Sequence, residues 1–401
     1  MTAARPAATC ATYCPATWRT SLGRASGSSC FNICMLVILS AYFGLWFLVL
    51  ATATLLFWAR KREAPPAPPA PWPRVSILIA ARNEEAALGR CLAAIRQLRY
   101  PAHLLEVLVG DDASTDQTRR VAEQAMQGYA GQFQCLSIVD NLGTARGKAN
   151  VLAHLARQAT TDFFFITDAD ITVPGGWIEA LLPYARPEVG TVTGLTVVHG
   201  PRLFDRLQGL DWLLSLGLVQ VVSDGGRPVT AMGNNMLVTR AAYEATGGYE
   251  RLPFSVTEDF ELFKAVLAQG FTFRNVFRPE VLAYSLPTST PLRLLHQRRR
   301  WMRGVEALPG WLQGGLIFYA AFYPLLLLLA WLAGPLVALS VLAAKVLLQG
   351  VLAYGCYRRA GLRMPWHLLP AFEVYTVALT IGLTVFRLLP LSFEWKGRSY
   401  T

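Results

Sequence analysis

Charged side chains are scarce in this chain of 401 residues: Asp, Glu, Lys and Arg make up 16%, while 53% of the residues are hydrophobic. Soluble domains carry about a quarter charged residues, so the deficit points to a chain partly solvated by lipid. Acid is the scarcer sign, with 26 Asp and Glu against 37 Lys and Arg. Cysteine is thin and scattered, at Cys10, Cys14, Cys30, Cys34, Cys91, Cys135 and Cys356. An odd count without regular spacing excludes a disulfide framework. No histidine accompanies the four N-terminal thiols, which speaks against zinc there. A reducing, cytosolic setting is the expectation for the globular part. Heptads and a Gly-X-Y period are missing too, so the chain is no fibre. Aromatic residues, by contrast, are plentiful (11 Trp, 14 Tyr and 20 Phe), and they exclude intrinsic disorder. The length allows roughly two or three domains.

The net charge of +11 does not mark a nucleic-acid binder. Basic residues flank apolar segments, at Arg60-Lys61-Arg62, Arg358-Arg359, Lys396 and Arg398, or form the single run Arg298-Arg299-Arg300. A nucleic-acid surface needs them spread over one face, so no such partner is expected. Residues 1–30 show no apolar period and read as an unstructured leader; translation could begin at Met35. Residues 31–59 carry no charge and are long enough to cross a hydrocarbon core of about 30 Å. The basic triplet behind them puts that end of the span in the cytoplasm by the positive-inside rule. Residues 60–73 form a basic, Pro-rich linker, a stiff spacer expected to hold the next domain off the membrane.

Past Glu306 no charge appears until Lys345. Gly334-Pro335 suits the turn between two spans, near 315–333 and 336–355. Lys345 would then lie near mid-bilayer and must face protein or a polar cavity. A final apolar segment, 367–391, contains Glu373, Arg387 and Pro390, which leaves a span and a re-entrant or interfacial helix both open. Region 306–401 thus holds two or three hydrophobic helices. The expected setting is the cell (inner) membrane, crossed several times, with the globular domain on the cytoplasmic side.

Between these segments, residues 74–305 read as a soluble α/β domain. Val75–Ala80 and Leu104–Gly110 are continuous apolar runs, as strands buried on both faces should be. A short strand at Cys135–Val139 and a third buried one at 162–167 come next. Helical stretches alternate with them, one showing Leu88, Cys91, Leu92 and Ile95 on a single face and another starting at Lys148. Polar residues stand at each strand's C-terminal end, where ligands bind in open α/β sheets.

The chemistry gathers at those ends. Asp168 and Asp170, spaced i, i+2 after the third run, can share one hard divalent cation, Mg²⁺ or Mn²⁺, with phosphate oxygens completing its sphere. An acidic turn is the plainer explanation for the pair taken alone. Asn83 and Glu84 after the first strand, and Asp111 and Asp112 after the second, can hydrogen-bond a base or ribose edge. Asn83, and Ser114 or Thr115, can also act as helix caps. Lys148 opens a helix whose free N–H groups suit a diphosphate. Thr257-Glu258-Asp259 begins an amphipathic helix, where Thr257 can cap and the two acids favour the helix dipole. Gln297-Arg298-Arg299-Arg300-Trp301 joins a guanidinium cluster to an indole, apt for a leaving diphosphate. Some of that Arg charge also serves topology, but Gln297 and Trp301, four apart on one helix face, are not explained by it.

In their order and spacing, Asn83-Glu84, Asp111-Asp112, Asp168-Ala169-Asp170, Thr257-Glu258-Asp259 and Gln297-Arg298-Arg299-Arg300-Trp301 resemble the family 2 glycosyltransferases. The likeness is to the membrane-bound branch with cellulose, chitin and hyaluronan synthases and ceramide glucosyltransferases, and covers about 74–305 with the flanking spans. It implies a GT-A-like mixed α/β sheet with a Rossmann-like nucleotide-binding half, joined to transmembrane helices. By the same resemblance Asp112 meets uridine, Lys148 the donor region, and Asp168 and Asp170 the donor–metal complex. Asp259 is the implied general base, and Gln297, Arg300 and Trp301 grip diphosphate and acceptor, with Arg298, Arg299 and Glu258 beside them. Asn234, within Gly233-Asn234-Asn235-Met236, falls on the acceptor side. The implied reaction moves a sugar with inversion from a nucleotide-sugar, a UDP-sugar, to a lipid, lipid-linked or polysaccharide acceptor.

Two other readings stay open. A processive synthase would extrude its polymer, yet the large ones carry more spans than are available here. A membrane-anchored nucleotidyltransferase or a non-catalytic sugar-nucleotide sensor would not need Asp259, Gln297 and Trp301 together.

Overall fold

The structure, a computed structural model, describes residues 27–60, 64–306, 308–388, 393–395 and 398–400. The first helix, α1 (Gly27–Ala59), starts four residues inside the expected leader, whose remainder with Cys10 and Cys14 lies outside the described residues. So do Lys61, Arg62, Pro390 and Lys396.

Strands β1 (Val75–Ala81), β2 (Leu105–Asp111), β3 (Gln132–Ser137) and β4 (Phe163–Asp168) run parallel, in the order β3-β2-β1-β4. Every residue of β1 and β2 is buried, which is why neither shows the alternation of a half-exposed strand. The helices α2 (Leu88–Arg96), α3 (Thr118–Ala125) and α4 (Lys148–Gln158) connect them, and α2 buries Leu88, Cys91, Leu92 and Ile95 as expected.

Past β4 the topology turns mixed. The short β5 (Ile171–Thr172) and α5 (Trp177–Leu181) lead to β6 (Val189–Thr193), β7 (Leu195–Val198) and the long α6 (Leu203–Asp224). Strand β8 (Asn235–Thr239) then lies antiparallel between β4 and β6. After α7 (Arg240–Ala245) and α8 (Glu258–Ala268), β9 (Thr272–Asn275) closes the edge of a seven-stranded sheet ordered β3-β2-β1-β4-β8-β6-β9. A second, three-stranded sheet joins β5, β10 (Leu282–Ser285) and β7. This is the mixed sheet with one parallel half that the resemblance implied.

Helix α9 (Pro291–Glu306) leads to α10 (Gly310–Ala320), α11 (Phe322–Ala333), α12 (Pro335–Arg359) and α13 (Leu369–Leu388). Four segments are long and apolar enough to cross a membrane: Phe31–Ala59, Gly310–Ala333, Pro335–Arg359 and Trp366–Phe386. Gly334 makes the turn between the second and third with φ of 91°, a conformation that side chains disfavour. Lys345 is 1% exposed, and its ammonium donates to Glu373 Oε2 at 2.6 Å, Gln349 Oε1 at 2.8 Å and Tyr323 Oη at 3.0 Å. The acid that seemed to compromise the last segment is thus the partner of the lysine in the one before.

The linker does not hold the domain away from the spans. One face of α6 lies directly on α12, where a Cβ on Gly217 would meet Cys356 Sγ at 2.4 Å. Phe57 of α1 packs on Phe277 with ring centroids 5.5 Å apart, and Arg60 reaches Asp224 at 3.8 Å. The Pro-rich stretch has no helix or strand, since its prolines lack the N–H that either needs. Among buried ions, removing one partner costs far more than replacing both. Glu373→Leu is therefore expected to lose about 3 kcal/mol of stability, and Lys345→Met combined with Glu373→Leu to recover most of it, as read by thermal unfolding in detergent.

Candidate active site

The loops after β1 and β2 are lashed together. Asn83 (φ 52°) and Ala113 (φ 50°) both take left-handed backbone, and the Thr115 N–H donates to Asn83 Oδ1 at 2.8 Å. Ser114 N–H donates to Asp111 Oδ1 at 3.1 Å. Asn83 and Asp111 therefore brace these loops, and neither lines the cleft beneath them. The caps differ from expectation as well. Asp116 accepts from the Thr118 N–H at 2.9 Å, so Ser114 and Thr115 do not cap α3. Thr257 makes no cap bond, because its hydroxyl pairs with Ser255 Oγ at 3.0 Å.

The remaining candidates, Arg299 excepted, converge on one cleft of about 470 Å³. Glu84, Asp112, Lys148, Asp168 and Asp170 line it from the parallel half. From the other side come Asn234, Glu258, Asp259, Gln297, Arg298, Arg300 and Trp301. At its centre the ammonium of Lys148, the first residue of α4, lies 2.6 Å from Asp168 Oδ1 and 2.9 Å from Glu258 Oε1. Burial lowers the lysine's pKa, but the charges of Asp168, Glu258 and Asp259 outweigh it and hold the group above its usual value.

Asp259 sits at the start of α8, where its Oδ2 accepts the Gly233 N–H at 2.8 Å and its Oδ1 the Phe260 N–H at 2.9 Å. Burial, followed by the neighbouring Glu258 charge, pushes its carboxyl up to about 6 against the pull of Lys148 and the two N–H groups. That value suits proton abstraction near neutral pH. A Cβ on Gly233 would lie 2.6 Å from Asp259 Cβ, so only glycine allows this approach.

The arginine run divides its work. Arg300 lines the cleft, whereas Arg299 lies over the Phe386 ring at 5.3 Å and packs against α13. Arg298 pairs with Asp211 of α6 and stacks on Trp301, its guanidinium 4.4 Å from the ring centroid. Trp212 meets Trp301 edge-on at 5.2 Å. Sequence reasoning missed Asp211 and Trp212, since an isolated acid within the long apolar α6, which also carries Asp205 and Asp224 near its ends, forms no motif. It also missed Arg82, whose guanidinium stands 3.9 Å from Asp112.

Among the described residues no cluster of three His, Cys, Asp or Glu is shaped for a metal. Asp168 and Asp170 nevertheless offer hard oxygen donors on one wall of the cleft, a set that fits Mg²⁺ or Mn²⁺ when a substrate supplies further oxygens.

Residues 73–304, more than half of the chain, match the family described as "Glycosyltransferase like family 2". The chain belongs to that family. It is 29% identical to beta-monoglucosyldiacylglycerol synthase from Synechocystis sp. over 260 residues, 63% of this chain and 53% of that protein. It is 25% identical to poly-beta-1,6-N-acetyl-D-glucosamine synthase from Staphylococcus epidermidis over 237 residues, 57% of this chain and 54% of that protein. The chain thus spans about half the length of these curated relatives. Among solved structures, the mannosyltransferase PcManGT from Pyrobaculum calidifontis, in complex with GDP-Man and Mn2+, shares the fold with a TM-score of 0.56. Its identity is 21%, covering 90% of this chain and 98% of that one.

Family 2 catalysis would depend on this charge balance. Lys148→Met removes the cation that bridges Asp168 and Glu258, and is expected to cost about 3 kcal/mol in unfolding experiments. Gly233→Ala displaces Asp259 without unbalancing charge; turnover should fall about 100-fold, with a stability loss of about 1–3 kcal/mol in thermal unfolding.

Proposed function

We propose that this protein is an inverting glycosyltransferase that moves a sugar from a nucleotide-sugar, a UDP-sugar, to a lipid, lipid-linked or polysaccharide acceptor at the cytoplasmic membrane face. The observation that carries the reading is the cleft itself, in which Asp259, with a carboxyl near pH 6, faces the Asp168–Asp170 end of β4 with Arg300 and Trp301 at its side. Four candidate spans beside the domain support transfer at a membrane, and the name of the Synechocystis relative supports a lipid acceptor.

Asp112 and Glu84, on the loops at the ends of β2 and β1, suit the nucleoside edge of the donor. Lys148 pairs with Asp168 and holds that carboxylate at the wall of the cleft. Asp168 and Asp170 are the residues that would hold Mg²⁺ or Mn²⁺, which when bound neutralises charge developing on the leaving diphosphate. Arg300, with Arg298 seated beside Trp301, adds positive charge on the same side. Asp259 removes the proton of the acceptor hydroxyl during attack, and Gly233 and Phe260 fix its two oxygens. One displacement inverts the anomeric centre, so an α-linked donor gives a β-linked product.

Asp259→Asn should reduce kcat by about 1,000-fold or more while donor binding persists; near-normal turnover would remove the base from Asp259. Because the active form is the carboxylate, kcat/KM should rise about tenfold per pH unit below about 6 and level off above it. A donor panel with mass analysis of the products identifies sugar and chain length, and a long polymer would favour a processive synthase instead.

A further inference from the structure

We propose that the far end of the cleft is a trough for the hydrocarbon chain of a membrane-lipid acceptor, entered from the bilayer beside α10. The inference rests on the glycosyl-transfer reading and narrows its acceptor to one class.

One wall of the trough is α6. Trp212, Leu216 and Val219 fall at i, i+4 and i+7, and all three line the same cavity as Asp259. At about 100° per residue they lie about 100–160° around the helix from Gly217, which is pressed against α12. The helix therefore has two apolar faces, one covered by a span and one turned into the cleft. The opposite wall is Val305 and Leu308, with Val229 from the loop after α6. Apart from buried Trp212, these side chains are half-buried, so methyl groups are left facing the cavity.

Place and chemistry agree on the occupant. Leu308 stands two residues before Gly310, where the candidate span Gly310–Ala333 begins, so the trough ends at the start of a membrane-spanning segment. The Asp259 end needs a hydroxyl, and the α6 end offers mostly aliphatic surface, with only the hydroxyls of Ser215 and Thr230 among Leu216, Val219, Val229, Val305 and Leu308, too few to pair the hydroxyls of a glycan. A single molecule reaching from one end to the other is therefore an alcohol with a hydrocarbon tail. Continuity with the catalytic cleft singles out a lipid drawn from the bilayer over a second protein or a sugar polymer.

Photolabelling reads this directly. The full chain is placed in nanodiscs of phosphatidylethanolamine and phosphatidylglycerol containing diacylglycerol with a diazirine at the end of one acyl chain, irradiated, and mapped by peptide mass spectrometry. The trough predicts label on peptides carrying residues 212–219 and 305–308, lowered at least threefold in Leu216→Asn combined with Val219→Asn. Exposed Leu327 and Leu336 on α11 and α12 should label equally in both proteins, which also reports that the variant is folded. Label confined to such outward faces, or trough label unchanged in the variant, overturns the proposal. Binding of UDP-glucose by the wild-type chain is scored separately. Intact donor binding with an unlabelled trough rejects the trough alone, whereas a labelled trough without binding of UDP-glucose, or of any other nucleotide-sugar in the donor panel, supports the trough and rejects the transferase reading.

Discussion

Carboxylates drawn into one half-dry cleft repel each other, and the site depends on a cation placed among them. Lys148 is that cation, with Asp168 on one side and Glu258 on the other. The same ammonium pulls against burial at Asp259, and the balance leaves that carboxyl near pH 6 instead of fully neutral. Lys148 can do this because it is the first residue of α4, which packs on β1 and β2 and begins after Gly147, which takes a φ of 56°. A backbone turn thus sets the electrostatics of the acids on two other elements.

A comparable solution serves the candidate spans. Lys345 is buried among apolar helices with Glu373, Tyr323 and Gln349 gathered around its ammonium. Between the two clusters lies α6, which packs on the spans with one face and walls the cleft with another. Asp211 of this helix holds Arg298, and Arg298 lies on Trp301. Tyr375 of α13 reaches the same Asp211 at 3.5 Å, so the last apolar helix touches the acid that seats the indole.

Parts of this arrangement are legible in the sequence for physical reasons. Strands buried on both faces leave uninterrupted apolar runs, so β1, β2 and β4 stand out with their polar ends, and the spacing of Asp168 with Asp170 and of Gln297 with Trp301 survives as motif. Other parts are not legible. The strands β5, β7, β9 and β10 have two to four residues each and no usable period. Helix α6 is apolar on two faces, which blurs the amphipathic signal that would announce a wall of the site. The side-chain roles of Asn83 and Asp111 depend on which way two adjoining loops fold back on each other, and spacing carries no such information. The partner of Lys345 lay 28 residues away in a different helix.

The proposed site for a cation-bound sugar diphosphate is assembled by acids from separate elements. Manganese electron paramagnetic resonance, with and without UDP, tests it most directly. The nucleotide diphosphate is expected to tighten Mn²⁺ binding to the protein, and Asp168→Asn combined with Asp170→Asn to abolish this coupling. Mn²⁺ bound equally by the double variant, or indifferent to UDP and other nucleoside diphosphates, would contradict it.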